Sequence, residues 1–221
     1  MSARSPLTRE RILRAAISLA DEQGLDVLSM RSLGAALGVQ AMSLYNHVAN
    51  KDHLLDAMVD EIVAEIEVPS ESDPWQEAMR KRAWSAHTTL LRHPWACALL
   101  MSRANVGPAM LRYVDATIGC LWHGGFTLAN AAHARNALDS FIYGFTLQEL
   151  NFPFAKDQYP VVAAGYLPSL SAVQYPSMHA LTTQVATRAF DGVHSLDCGL
   201  ALLLEGLERV RVHSGAAPTR S

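Results

Sequence analysis

The chain has 221 residues, half of them hydrophobic and 18% charged, with a formal net charge of −3. Such a composition excludes a disordered or low-complexity chain and supplies enough apolar surface for a real core. A weakly acidic total also stands against the strongly basic balance of many nucleic-acid binders.

In chain order, the apolar residues recur at helical spacing almost throughout. Ile12, Ala15, Ala16, Leu19 and Ala20 form one stripe, predicting a helix over about 8–23 that Thr8 caps and Gly24 ends. Ser29 opens a second helix to Leu37, Gly38 closes it, and a short third helix spans about 41–48. Asn50 caps a fourth, about 51–67, and Val68–Asp73 reads as a linker. Asp73-Pro74 starts a long helix that Pro94 stops, then come a short segment to Ser102 and a helix over about 108–122. Thr127 caps a helix to Leu150. Four of the ten prolines fall in 151–177, predicting an irregular segment. Helices over about 177–190 and 195–211 and a polar tail complete the chain. Strict alternation of apolar and polar residues is absent, so the fold class is all-α.

Several chemistries find no support. Cys97, Cys120 and Cys198 are an odd, scattered set without a CxxC, and read as buried, reduced thiols. The polar first eleven residues hold no apolar signal segment, and no run of about 18 apolar residues occurs. The chain therefore reads as a soluble, cytoplasmic protein with no membrane partner. Nine histidines show no metal-ligand spacing, and neither a Gly-x-Ser-x-Gly elbow nor a phosphate-cradling glycine loop is present. No enzyme, metal or cofactor is expected.

Residues 29–48 are more informative. They read as helix, glycine turn, helix, with Leu33, Leu37, Val39, Leu44 and Val48 as the inward positions and Gly34 where the helices would cross. A helix-turn-helix presents the start of its second helix to base edges in the major groove. Ser43 and Asn46 can hydrogen-bond bases, and Ala41 or Met42 can touch a thymine methyl. Tyr45, His47, Lys51 and Arg31 are placed for phosphates.

Here the sequence resembles the TetR family of transcriptional repressors. The resemblance rests on Leu28-Ser29-Met30-Arg31-Ser32-Leu33-Gly34, Leu37-Gly38-Val39, Ser43-Leu44-Tyr45-Asn46-His47-Val48 and Asn50-Lys51-Asp52-His53-Leu54-Leu55. Weaker marks of its tetracycline-repressor branch are Trp75-Gln76, Gly125-Phe126-Thr127 and Gly206-Leu207-Glu208. The resemblance implies a DNA-binding domain at 1–50, a connecting helix at 51–68 and a ligand-binding and dimerisation domain at 69–214. It implies a homodimer that binds palindromic operator DNA and releases it when a small, mostly apolar effector binds. Trp84, His87, Met101, Arg103, Met110, Phe141, Phe145 and Gln148 are the candidate effector residues, with Arg103 expected to meet a ligand oxygen. One departure matters: no histidine occurs between His93 and His123, where that branch places a metal-binding one, so magnesium–tetracycline is not expected. Ala131, Ala132, Leu138, Leu196, Gly199, Leu203 and Gly206 could form a dimer interface or simply the core of one chain.

The charge also divides unevenly. Residues 1–51 hold six Lys and Arg against four acids, a net +2, and the remaining 170 carry −5. The acidic total therefore belongs to the second part of the chain.

Overall fold

The computed structural model describes residues 6–70, 72–190 and 195–215. Every regular element among them is helical. The helices are α1 (Arg9–Gln23), α2 (Met30–Leu37), α3 (Ala41–Leu44), α4 (Lys51–Ala64), α5 (Trp75–Arg92), α6 (Pro94–Ser102), α7 (Pro108–His123), α8 (Leu128–Leu150), α9 (Tyr159–Tyr166), α10 (Pro176–Ala186) and α11 (Leu196–Gly215). The polar tail and His194 lie outside the described residues.

The first compact unit comprises residues up to Leu150 and those from Leu200 onward. Its core is continuous from Ile12, Leu33 and Leu44 through Leu54, Met58 and Ile62 to Met79, Leu90, Leu121 and Leu138, all fully buried. Thus α4 serves two cores at once: it closes the small module of α1–α3 and packs on α6 and α7. That explains how helices as short as α2 and α3 persist, since isolated helices of this length are marginal in water.

The turn between α2 and α3 has two local causes. Ser29 and Ser32 form a reciprocal cap: the Ser32 N–H donates to the Ser29 hydroxyl at 3.0 Å, and the Ser29 N–H to the Ser32 hydroxyl at 2.9 Å. At the other end Gly38 takes the left-handed conformation (φ 68°), and the Val39 N–H reaches back to the Gly34 carbonyl at 2.9 Å. A Cβ on Gly34 would stand 3.0 Å from the Val39 carbonyl and 3.1 Å from the Ala41 nitrogen. The crossing is therefore as close as the backbone allows.

Some expectations are corrected. The regular part of α3 ends at Leu44, and residues 45–47 continue as a turn in which the His47 and Val48 N–H groups both donate to the Leu44 carbonyl. α4 ends at Ala64 and α10 at Ala186, each short of its expected end. Cys97 and Cys120 are buried, and burial pushes the Cys97 thiol up to about 11, but Cys198 is exposed. Ala131, Leu138 and Leu196 are buried within the single chain, whereas Leu202, Gly206 and Val210 stand outward on α11 at four-residue spacing.

The second compact unit is residues 151–199. The segment expected to be irregular carries α9 and two 3-10 turns, because Pro160 and Pro168 sit in first turns, where a missing N–H costs nothing. Phe152 stacks on Tyr159 with ring centres 5.0 Å apart. An apolar cleft of about 430 Å³ lies between α9 and α10, lined by Phe154, Tyr166, Met178 and Leu181 among others.

The turn makes a testable demand. Gly34→Ala should lower the unfolding free energy by about 1–3 kcal/mol, because backbone must move to admit the methyl. Ser29→Ala should cost about 1 kcal/mol through the lost cap. Urea denaturation followed by far-ultraviolet circular dichroism, at fixed protein concentration, measures both.

Candidate DNA-binding surface and effector site

The α2–α3 element turns its apolar side inward and a polar row outward. Leu33, Leu44 and Val48 are buried, while Arg31, Met42, Tyr45, Asn46, His47 and Lys51 are exposed and Ala41 and Ser43 are half-buried. Met42 is the extreme case, 73% exposed on a four-residue helix. Burial cannot account for it, so it is presented rather than packed. Among the described residues, no hydrogen bond or ion pair occupies the side chain of Arg31, Tyr45, His47 or Lys51. Their side-chain donors all remain available, with no acid among the eight. Lys51 is held in place by its neighbour: the Asn50 carboxamide oxygen accepts from the His53 N–H at 2.9 Å, fixing the first turn of α4.

Three polar contacts join this module to the helices behind it. On α1, one oxygen of Asp21 accepts from the Trp95 indole N–H at 2.6 Å and lies 2.8 Å from the His93 imidazole. On α4, Arg103 donates from Nε to Asp56 at 2.8 Å, from Nη1 to the Asp52 carboxylate at 3.2 Å and from Nη2 to the Asp52 carbonyl at 3.3 Å. One turn further along, the Asp60 carboxylate caps α7 by accepting from the Ala109 and Met110 N–H groups at 3.2 and 2.9 Å. Asp52, Asp56 and Asp60 thus form a row on one face of α4 at four-residue spacing. α6 is fastened beside both of its ends, by Asp21 at the start and by Asp52 and Asp56 just beyond its last turn.

This corrects the expectation for Arg103. Three of its five guanidinium N–H groups donate to Asp52 and Asp56 of α4. Met101 (55% exposed) and Gln148 also stand outward, and Met110 sits at the capped start of α7. The other four candidates do gather. His87 is buried, edge-on to Trp84 (centres 5.9 Å apart) and to Phe145 (5.5 Å), and Phe145 touches Phe141 (5.8 Å). The His87 Nδ1 lies 2.9 Å from the Thr146 hydroxyl. That hydroxyl already donates to the Ile142 carbonyl at 2.7 Å, so Nδ1 carries the proton between them. Nε2 faces Glu149 at 3.3 Å.

Sequence reasoning missed a second polar cluster between the same helices. Arg82, on α5, is completely buried and paired with Asp139 of α8. Arg135 donates to the other oxygen of Asp139 at 2.7 Å. The Tyr113 ring lies against the Arg82 guanidinium, 4.6 Å from its centre. Burial pushes the Tyr113 phenol up to about 12 and that of Tyr143 well above its ordinary range, so both stay protonated. Arg80-Lys81-Arg82 reads as a basic run on a solvated face. The one available signal was register, because Arg82 falls three residues after Met79 on the buried stripe.

Comparison with known proteins decides what this assembly is. Residues 12–58 match the family model for bacterial regulatory proteins of the tetR family, and residues 68–211 match the tetracyclin repressor-like C-terminal domain. The chain is a TetR-family transcriptional regulator. It is 30% identical to the HTH-type transcriptional repressor DrrR1 of Streptomyces coeruleorubidus, over 91% of this chain and 77% of that one. It is 29% identical to the class D tetracycline repressor of Escherichia coli, over 92% of this chain and 94% of that one. Its fold superposes on ActR of Streptomyces coelicolor solved with (S)-DNPA, with a TM-score of 0.79, 31% identity and coverage of 93% and 98% of the two chains. ActR has also been solved with actinorhodin. Like its relatives, this regulator is a DNA-binding helix-turn-helix protein, and no described helix is long and apolar enough to cross a membrane.

The α4–α7 contact can be tested directly. A Cβ on Gly107 would lie 2.2 Å from the Asp60 carboxylate, so Gly107→Ala must displace the cap. Asp60→Ala should cost about 1 kcal/mol, the usual worth of such a cap. The double variant should be little worse than either single one, a coupling of about 1 kcal/mol in a denaturation cycle.

Proposed function

We propose that this TetR-family regulator is an effector-responsive repressor that binds palindromic operator DNA as a homodimer and leaves it when a small, mostly apolar molecule binds between α5, α7 and α8. The observation that carries the reading is the row Asp52–Asp56–Asp60. It ties the helix bearing Lys51 to the α6–α7 region at three successive turns. A change in the packing of α6 or α7 is thereby passed to the DNA-facing module without a flexible step.

In this reading Ala41, Met42, Ser43 and Asn46 meet base edges, and Arg31, Tyr45, His47 and Lys51 meet phosphates. Trp84, His87, Phe141 and Phe145 form the effector's aromatic wall, with Arg82, Tyr113 and Asp139 beside it. The outward row Leu202–Gly206–Val210 on α11 supplies a face for the second copy. A module with a net charge of only +2 binds weakly alone, and two copies on two half-sites supply the affinity. The effector acts by binding the DNA-incompetent arrangement more tightly, so release is set by the difference between its two affinities.

Selection of bound sequences from random duplex DNA tests the reading. The expected product is a palindrome whose half-site centres lie about 10 base pairs, or a multiple of that, apart. On the selected duplex, Lys51→Ala should weaken binding of all sequences alike and lower the salt slope by about one per protomer. Met42→Ala should instead relax preference at one base pair, at a cost of about 1–3 kcal/mol against the best sequence. Selection without a palindrome, or affinity independent of salt, would overturn the proposal.

A further inference from the structure

The buried cluster around Arg82 has an unbalanced charge. Arg82 has a fully buried side chain, yet only its Nη2 has a hydrogen-bond acceptor, Asp139. Its Nε and Nη1 have none among the described residues. Asp139 is shared, because its second oxygen serves Arg135. Two guanidiniums thus divide one carboxylate, and of the two it is Arg82 that is shielded from water, where an uncompensated cation is costly. The neighbouring phenols of Tyr113 and Tyr143 cannot supply the missing negative charge, since both remain protonated at neutral pH.

Geometry says where a counter-charge would sit. The Tyr113 ring covers one face of the guanidinium, and the unused N–H groups lie in its plane, buried in the interior where α5, α7 and α8 meet. Along α5, His87 follows Arg82 by five residues, about 8 Å of helix. Along α8, Thr146, which His87 contacts, follows Asp139 by seven residues, about 10 Å on the same face of the helix. A cationic point beside an aromatic wall at that spacing suits a molecule with a flat apolar skeleton and one acidic end.

We propose that the effector of this regulator carries an oxyanion, a carboxylate or an acidic phenolate on an aromatic skeleton, and that Arg82 is the residue that receives it. The assignment rests on the effector-responsive reading above and adds the chemical class of the ligand and the group that selects it. Asp139 and Arg135 position Arg82 rather than touch the ligand. Asp139 holds one edge of the guanidinium in place, and Arg135 keeps that carboxylate from neutralising it fully.

The test uses a matched pair of probes, 2-naphthoate and 2-naphthamide, which share a skeleton and differ in charge. Each is titrated calorimetrically into the full-length protein at about pH 7.5, where the carboxylate is ionised. Naphthoate should bind about tenfold or more tightly than naphthamide, the usual advantage of a charge-assisted hydrogen bond. Arg82→Gln should erase that preference while leaving naphthamide affinity within about twofold. Arg82→Lys should keep part of it, and Asp139→Asn should enlarge it by releasing cationic charge. Circular dichroism melts establish which variants fold, and if Arg82→Gln does not, the lysine and Asp139→Asn variants decide. Equal affinity for the two probes in the wild type, a preference that survives in Arg82→Gln, or failure of both probes to bind at millimolar concentration overturns the proposal. Operator release is scored separately. Release by naphthamide without anion preference sinks the oxyanion and keeps the repressor reading. Anion preference without release does the reverse.

Discussion

Three carboxylates on one face of α4 fix how that helix sits against α6 and α7. Asp52, Asp56 and Asp60 bind Arg103 and the first amides of α7, while the opposite side of the same helix buries Leu54, Met58 and Ile62. A helix fixed on both sides can move only with what it is fixed to. Apolar contacts alone would permit sliding, because dispersion is non-directional. Charge-assisted hydrogen bonds set a register and a distance. Arg103, expected from the sequence to meet a ligand oxygen, instead meets carboxylates of the chain itself. Those acceptors are Asp52 and Asp56, the acids of the connecting helix.

Much of the fold was legible because local signals agreed with one another. Thr8, Ser29 and Asn50 each cap the helix their positions announce, and Gly34 and Gly38 sit where a tight turn demands them. Failures came where two signals competed. Prolines in 151–177 read as breakers, yet Pro160 and Pro168 lie in first turns and are compatible with helix. The turn at Tyr45–His47 replaces a last turn of α3 that apolar spacing alone would continue to Val48.

The site was legible in unequal halves. Residues of the DNA-facing element could be named because exposure follows from helical register on a short, strongly patterned motif. The effector side was harder. His87, Phe141 and Phe145 could be placed on α5 and α8, where they pack together, but Arg82 was hidden in a basic run, and its partner Asp139 lies 57 residues away. Pairings over such distances leave no periodic trace in a single sequence. The acidic balance of the chain has a similar explanation in part, since several acids that look like solubilising charge are internal fasteners.

Lys51 and Asp52 are joined by a single peptide bond. One of them faces the side of the molecule given to phosphates, and the other holds Arg103 through both its carboxylate and its carbonyl. In the proposed reading there is therefore no spacer between the residue given to phosphates and the residue that holds Arg103. On that reading linkage runs in both directions, so a duplex that seats Lys51 also biases the Arg103 contact. An operator is, for this protein, a second effector, one that enters from the far end of α4.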